Sequence, residues 1–247
     1  MTEFALYREP VLLDTTKHRQ LKLLPTNTYS AANRMHASYL SAVEFPAAMR
    51  EFVIVFSRSA DAAGQTQMSP IVLLGITPGE NLFLDGTRWD AQCVPAYIRR
   101  YPFWTTQIEG REMPSVMIDE WWQGFSQTEG DPLFEADGTP APKLAEVIEF
   151  VQMYEQEAGR TQAFCDHLAR LDLFREMTAD LTLPDGSKQT LSDFFSIDDA
   201  KLQALPDAAV LELFRNGMLG LIHAHLLSMA NMQALVARKG RRLPAAP

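Results

Sequence analysis

Hydrophobic residues in the first half of the chain come in short runs that polar turns separate. Residues 52–56 are β-branched and aromatic, residues 71–76 form a second apolar run, and residues 81–84 contain three apolar residues after the turn signal at 77–79. Runs of this kind, bounded by Gly, Pro and Asp, are typical of β-strands. Because the connections are short, we predict that the three strands form an antiparallel meander.

Two further strand pairs are predicted along the chain. Residues 103–109 and 113–119 are expected to pair across a turn at Gly110-Arg111. Residues 181–191 contain two apolar arms around Pro184-Asp185-Gly186, a sequence typical of tight turns. The second pattern predicts a β-hairpin.

The spacing of apolar residues changes to three and four in the second half of the chain. This period extends over residues 143–172 and predicts one amphipathic helix or a broken pair of helices, with Gly159 as the expected break. Further on, Asp198 or Asp199 is expected to cap a short helix.

The last predicted element, residues 207–239, is apolar nearly all round in its middle part. A membrane span needs about 20 apolar residues, and histidine, serine and asparagine side chains interrupt this stretch. We therefore predict a central buried helix and no transmembrane segment. Gly217, Gly220, Ala224 and Ala230 are expected to let neighbouring backbones pack closely against it.

Together these patterns predict an α+β fold, in which an antiparallel meander sheet packs with a long C-terminal pair of helical segments around a buried helix. Residues 1–247 are expected to form a single domain. Residues 120–142 contain three glycines and three prolines and predict a long irregular loop. Loops of this length in compact domains are often functional.

Composition and charge exclude several classes of protein. The chain has 247 residues and a formal net charge of -9, which disfavours binding to nucleic acid or anionic lipid. The N-terminus lacks the basic and apolar regions of a secretory signal, so a cytoplasmic location is expected. The basic run at 238–242 is interpreted as a solvated helix end, with a docking tail as the alternative.

No sequence motif assigns an enzyme class. The phosphate-binding, dinucleotide-binding, nucleophile-elbow and HExxH motifs are all absent. His223 and His225 are two residues apart, which places them about 200° apart on a regular helix, so they are unable to share one ion. We predict no metal site and no cofactor, and the question of catalysis stays open.

Polar and aromatic residues concentrate between residues 80 and 103. Carboxylates beside a guanidinium and an indole are suited to hold a peptide, sugar or carboxylate ligand. The structural alternative is a buried Asp–Arg pair that locks a strand–turn–helix corner. The predicted ligand-binding residues are Asn81, Asp85, Trp89, Asp90, Arg99, Arg100 and Tyr101.

Three aromatic residues in the 120–142 loop form a second candidate surface. Trp121, Trp122 and Phe125, if exposed, would resemble the aromatic anchors of protein interfaces. The structural alternative is a loop that one tryptophan pins to the core. Because neighbouring side chains of an extended chain point in opposite directions, both are not expected to be buried. We predict partner binding by these three residues.

Several blocks of the chain, in order and over most of its length, resemble the SapC family of bacterial proteins. The blocks are EFP at 44–46, VIVF at 53–56, GENLF at 79–83, VPAYIRRYPF at 94–103, GDPLF at 130–134, TQAFC at 161–165 and GLIHAHL at 220–226. One departure is residues 120–125, where the family would have a more polar, serine-rich run.

The resemblance implies an association with bacterial surface layers. Relatives tend to be encoded near TonB-dependent receptors, flavin-dependent halogenase-like proteins and cupin-like proteins. It therefore implies an accessory role at the cell envelope, with a TonB-dependent receptor or a halogenase-like protein as a partner. The resemblance supplies no catalytic residues.

Three functional hypotheses follow from the sequence. The leading one is a non-catalytic adaptor that binds a protein or peptide linked to the cell envelope. The alternative is an enzyme with a site built from Asp85, Asp90, Arg99 and His225. The third hypothesis is a sensor that binds a sugar or amino acid in the same place without chemistry.

Overall fold

Strands pair only in antiparallel fashion in the residues that the computed structural model describes, which are 6–60, 64–110 and 114–242. The strands are β1 (Pro10–Leu12), β2 (Lys22–Leu23), β3 (Ala37–Tyr39), β4 (Ile54–Ala60), β5 (Thr66–Leu73), β6 (Leu84–Asp85), β7 (Arg88–Trp89), β8 (Phe103–Thr106), β9 (Ser115–Asp119), β10 (Phe125–Ser126), β11 (Asp131–Pro132), β12 (Phe174–Thr182) and β13 (Lys188–Ile197). The helices are α1 (Phe45–Ala48), α2 (Ala96–Arg99), α3 (Pro142–Arg170), α4 (Asp199–Gln203), α5 (Asp207–Arg215), α6 (Met218–Ser228) and α7 (Met232–Gly240). Separate helices and antiparallel sheets confirm the predicted α+β class.

The largest sheet has the strand order β12-β13-β4-β5-β3. Strands β4 and β5 pair from Ile54 opposite Val72 to Ala60 opposite Thr66, as the apolar runs predict. The predicted third strand at 81–84 is wrong, because Leu82 and Phe83 are buried without joining this sheet. The upstream strand β3 takes the position beside β5 instead.

Two smaller sheets surround a second hydrophobic core. Their orders are β1-β9-β8 and β10-β2-β11. The pairing of β8 with β9 confirms the predicted strand pair, although Arg111 of the predicted turn lies outside the described residues. Residues 120–142 are irregular for the most part but contribute β10 and β11, which both pair with β2.

The hairpin predicted at 181–191 is confirmed as the tip of β12 and β13. The Asp185 carboxylate accepts hydrogen bonds from the Ser187 N–H at 2.9 Å and hydroxyl at 2.6 Å, and Gly186 has φ 82°. A positive φ of this kind favours glycine. The predicted cap is also confirmed, since Asp198 accepts from the N–H of Ala200 at 3.0 Å at the start of α4.

Helix α3 is continuous over 29 residues, so the predicted break at Gly159 is wrong. A glycine inside a helix costs about 1 kcal/mol relative to alanine, and Gly159 is exposed with open space around it. Burial of apolar residues on both sides of it outweighs that cost. The N-terminal half packs on the second core through Leu144 and Val151, and the C-terminal half packs on the main core through Phe164 and Leu168.

The C-terminal region is less buried than its sequence predicts. Helix α6 buries Ile222, His225 and Ser228 against the sheet, but 64% of Leu227 is exposed. Gly217 and Gly220 have open space around them, so the predicted close packing at these glycines is wrong. Met218–Gly240 is nevertheless long and apolar enough in composition to cross a membrane, at 23 residues and mean hydropathy 1.2.

His225 joins α6 to the main sheet where β4 and β13 separate. Its Nδ1–H donates to the Ile54 carbonyl at 2.8 Å, since a carbonyl only accepts. Its Nε2 accepts from the Ile197 N–H at 3.1 Å and from the Ser196 hydroxyl at 3.0 Å. The neutral ring therefore satisfies backbone groups of two strands that do not pair with each other at this point. Burial lowers the pKa of His225 to about 4.

Protonation of His225 is expected to destabilise the fold under mildly acidic conditions. The ring titrates at about 6.5 in an unfolded chain and at about 4 in the folded protein. Its stabilising contribution is therefore complete above about pH 6.5 and is lost as the pH falls towards 4. We expect the free energy of unfolding to fall by roughly 3 kcal/mol across this window, measured by urea unfolding at a series of pH values.

A matched pair of variants isolates this contribution. His225→Gln should flatten the pH dependence between about pH 6.5 and 5, whereas His223→Gln, at an exposed ring on the same helix, should retain it. His36, whose pKa burial also lowers, leaves a residual slope in both variants. Equal slopes in His225→Gln and the wild type would contradict the prediction.

Candidate functional site

A cleft of about 710 Å³ lies between the two hydrophobic cores. One wall is the segment from Leu23 to Ala32, and the opposite wall is the first two turns of α3. The end of α2 and the residues that follow it close the third side. The cleft brings together residues of both predicted surfaces, namely Arg99, Arg100, Tyr101 and Trp122.

Two carboxylates fix the short helix that carries the arginines. Glu44 accepts the Ala96 N–H at 2.8 Å, and Glu51 accepts the N–H of Gln92 at 2.9 Å and of Cys93 at 3.0 Å. Burial raises the pKa of Glu44. These bonds hold the backbone at the start of α2, whose end then presents Arg99 to the cleft.

Arg99 is exposed, and its position is set by one bond and one ring contact. Its Nε–H donates to the Val94 carbonyl at 3.0 Å, and its guanidinium lies 5.0 Å from the centre of the Phe150 ring on α3. In the described residues it forms no ion pair with a carboxylate. The guanidinium fork is therefore available to a ligand in the cleft.

Arg100 has a different environment from its neighbour. Its side chain is only 12% exposed and pairs with Glu155 at 3.2 Å. The guanidinium lies 4.7 Å from the Tyr97 ring centre and 4.4 Å from that of Tyr154. Burial raises the pKa of Tyr154 and of nearby Tyr7, so both phenols stay protonated at neutral pH. These contacts stabilise the fold, and we assign Arg100 a structural role.

Asp119 is a fully buried carboxylate that organises the floor behind the cleft. One oxygen accepts from the Arg8 N–H at 2.8 Å and the Tyr101 hydroxyl at 2.9 Å. The other accepts from the N–H of Glu9 at 2.9 Å and of Trp121 at 3.2 Å. Because four donors bind one carboxylate, Asp119 holds three parts of the chain together. They are the N-terminal segment, the turn between α2 and β8, and the loop that carries Trp121 and Trp122.

The two adjacent tryptophans have different roles. Trp122 is half-buried, with its ring edge-on to Tyr101 at 6.5 Å and to Phe125 at 5.0 Å between centres. A Cβ at Gly124 would overlap the Trp122 ring, so glycine is required there. Trp121 is 43% exposed, and Arg8 lies 3.6 Å from its ring centre.

The remaining predicted ligand residues lie outside the cleft. Asn81 is buried, donates to the Ala32 carbonyl at 3.0 Å and accepts from the Phe83 N–H at 2.9 Å. Trp89 is buried, and its Nε1–H donates to the Cys93 carbonyl at 2.7 Å. Both residues are structural.

The two aspartates of that set are paired elsewhere. Asp85 is exposed and lies 3.7 Å from Arg88. Asp90 is half-exposed and pairs with Arg238 at 2.8 Å, so neither aspartate forms the buried pair that was the structural alternative. The proposed enzyme site is not assembled either, because His225 is enclosed by the main sheet and Arg99 faces the cleft.

The basic C-terminal run is not solvated as its sequence predicts. Besides the Arg238 pair, Lys239 binds Glu80 at 2.6 Å and Arg242 donates to the Asn81 carbonyl at 2.8 Å. Arg238 also lies 4.2 Å from the Phe83 ring centre. These contacts fasten the end of α7 to the segment before β6 and, through Asp90, to the residue that follows β7.

Several residues of the cleft were missed by the sequence reasoning. They are the polar segment Pro25-Thr26-Asn27-Thr28 and the α3 residues Lys143, Glu146, Val147 and Phe150. The helical period shows that some of the α3 residues are exposed, but nothing local shows what they face. The polar segment has no periodicity and offers no signal.

The charged side chains that line the cleft are Arg99, Arg100, Asp131, Lys143 and Glu146. Among the described residues that line it there is no histidine, cysteine or serine. Lys143 and Glu146 pair with each other at 2.8 Å. Desolvation raises the pKa of Tyr101, which therefore does not act as a base near neutral pH. No group of three His, Cys, Asp or Glu side chains suited to a metal ion occurs in the described part of the chain.

Comparison with known proteins gives one match. The family model described as SapC matches residues 13–235. No curated protein matches the chain, and no solved structure matches it.

Replacing Asp119 with Asn is expected to lower the free energy of unfolding by about 2–4 kcal/mol. The amide nitrogen of asparagine would face two of the four donors, and the charge that holds them would be lost. Urea unfolding followed by tryptophan fluorescence measures the change. Glu129→Gln, at an exposed carboxylate, should change stability by less than about 0.5 kcal/mol. A similar small effect for Asp119→Asn would contradict the assigned role.

Proposed function

The chain belongs to the SapC family, and from that premise we propose that it is a non-catalytic adaptor that binds a protein or peptide of a bacterial cell-envelope system. The envelope system is a surface layer or a TonB-dependent receptor, and a flavin-dependent halogenase-like protein is the second partner class. We place the protein in the cytoplasm, in association with the envelope.

The observation that carries this proposal is the cleft between the two cores. It joins an exposed guanidinium on Arg99 to the apolar surfaces of Trp122, Phe103 and Val147. Aromatic anchors beside a cation are typical of peptide-binding surfaces. The neighbouring Trp121 adds an exposed ring next to Trp122 in the chain.

The residues around the cleft favour binding over catalysis. A general base or nucleophile needs a partner within hydrogen-bond reach and a suitably shifted pKa. The hydroxyl of Tyr101 donates to Asp119 and has a raised pKa, and Glu146 forms an exposed ion pair with Lys143 at 2.8 Å. Neither has the environment of a catalytic base.

We also propose that Met218–Gly240, which comprises α6 and α7, is part of the fold and not a membrane span. Its Ser228 hydroxyl accepts the Ile54 N–H at 3.0 Å, and Asn231 donates to the carbonyls of Met49 and Phe52 at 2.8 Å each. Extraction of this segment into a bilayer would break these bonds and the contacts of His225.

The alternative function is a sensor for a sugar or amino acid in the same cleft. Its volume of about 710 Å³ lies within the range of small-molecule sites, roughly 300–1,000 Å³. Saturable binding of a metabolite, without product and without any macromolecular partner, would favour this alternative.

Affinity capture from native cells tests the adaptor proposal. Tagged full-length protein should recover an envelope receptor or modifying enzyme, and Arg99→Glu should reduce its recovery by about tenfold because a charge in the cleft is reversed. Arg88→Glu, an exposed arginine outside the cleft, is the matched control and should retain the partner. Trp121→Ala tests whether the exposed ring also contributes.

Two outcomes would contradict the proposal. One is turnover of a substrate by the purified protein alone. The other is a partner recovered equally well with the wild type, Arg99→Glu and Trp121→Ala, since its binding face would then lie elsewhere.

A further inference from the structure

We propose that the occupant of the cleft is an unfolded peptide segment that lies along residues 24–28 and places one carboxylate on Arg99. This inference rests on the proposed function and specifies the chemistry of the partner. It follows from three independent features of the cleft: the backbone of one wall, the floor, and the arrangement of charges.

The first feature is the wall that follows β2. Residues 24–29 continue from this strand without helix, turn or bend. In the described residues, the N–H groups of Thr26 and Asn27 and the carbonyls of residues 24–28 make no protein hydrogen bond. The Thr28 N–H donates to the Thr26 hydroxyl at 3.2 Å. Open backbone donors and acceptors in a segment that follows a strand are the feature to which an extended peptide adds by main-chain pairing.

The ends of this segment are fixed, so the open backbone is held in place. The Leu24 N–H donates to the Gly124 carbonyl at 2.9 Å, and the Tyr29 N–H donates to the Thr87 carbonyl at 2.8 Å. Pro25 further restricts the backbone. A wall that is already ordered loses little conformational entropy when a peptide binds.

The second feature is the floor between the walls. Phe103 is buried there, and Trp122 and Val147 are half-buried, so part of each ring or side chain is accessible to an occupant. Side chains of an extended peptide alternate in direction. Every second residue would therefore face this apolar floor, which favours an alternating apolar and polar sequence.

The third feature is the separation of charge along α3. Phe150, beside Arg99, is seven residues after Lys143, a distance of about 10 Å along a helix. Glu146 and Asp131 lie towards the Lys143 end, and the attraction of both contributes to a raised pKa of Lys143. The cleft therefore has a cationic end at Arg99 and an end where the carboxylates of Glu146 and Asp131 outnumber the ammonium of Lys143, and about three extended residues would span the two ends.

Among the cations that line the cleft, Arg99 is the one available to bind a carboxylate of a ligand. Arg100 is paired with Glu155, and Lys143 is paired with Glu146. The Nε–H of Arg99 is used by Val94, which leaves its two Nη groups without a hydrogen-bond partner in the described residues. Two Nη groups on a fixed stem match a carboxylate in bidentate geometry.

Synthetic peptide pools test this inference on the full-length protein. The probe is a pool of fluorescent heptapeptides with alternating apolar and polar residues, blocked termini and one glutamate at a fixed end. Two matched pools carry Gln or Lys at that position. A third pool carries Gln there and has a free C-terminal carboxylate, and a fourth keeps the glutamate but has an N-methylated backbone. Fluorescence anisotropy measures binding to the wild type, Arg99→Gln and Arg88→Gln.

We expect the glutamate pool to bind the wild type about tenfold more tightly than the glutamine pool. Arg99→Gln should reduce that preference to less than about twofold, and Arg88→Gln should preserve it. N-methylation should weaken binding by a similar factor, because it removes main-chain donors. If the pool with the free C-terminus matches the glutamate pool, the carboxylate is supplied by a partner's chain end instead of a side chain.

Equal binding of the glutamate and glutamine pools, a preference that survives Arg99→Gln, or no binding of any pool would overturn the inference. The adaptor function is judged separately by the captured partner. A partner that depends on Arg99 while the pools show no acidic preference would leave the adaptor proposal standing and reject the extended acidic peptide.

Discussion

The two cores of this protein are held together by one helix, because α3 is buried by a different core at each end. Its first turns contribute Leu144 and Val151 to the smaller core, and its last turns contribute Phe164 and Leu168 to the larger one. A helix of 29 residues is about 44 Å long and is stiff over that length. The two cores therefore have a fixed separation along it. The cleft lies beside the first turns, where the segment after β2 and the end of α2 approach α3 without closing on it.

Buried polar groups then fix how the irregular segments attach to this frame. Asp119 accepts hydrogen bonds from four donors in three parts of the chain. His225 bonds to backbone groups of β4 and β13 at a position where these two strands do not pair with each other. Each group would be costly to bury unpaired, so an arrangement that leaves one of them unsatisfied is disfavoured. Hydrophobic contacts alone tolerate small shifts in such loops. The hydrogen bonds to Asp119 are directional and do not tolerate such shifts. They therefore set the positions of Tyr101 and of the loop that carries Trp121 and Trp122.

Features encoded by neighbouring residues were predictable, and those that depend on distant residues were not. The hairpin turn at Asp185 and Gly186, the Asp198 cap and the extent of α3 follow from local chemistry and periodicity. Gly159 was misjudged because packing outweighs local propensity. The partner of Asp90 is 148 residues away at Arg238, a distance over which the sequence carries no pairing signal. Residues 81–84 were apolar enough for a strand, but apolar character alone does not distinguish a paired strand from a buried connection.

For the same reason, some residues of the candidate site were predictable from the sequence, but their common location was not. Arg99 and Trp122 were each identified from composition, but their common location depends on the junction at Asp119 and on the path of residues 24–29. The Tyr101 hydroxyl donates to Asp119 and Arg100 pairs with Glu155, whereas the two Nη groups of Arg99 make no hydrogen bond in the described residues. An otherwise acidic protein that keeps one cation unpaired beside an apolar floor is suited to select a partner by its carboxylate.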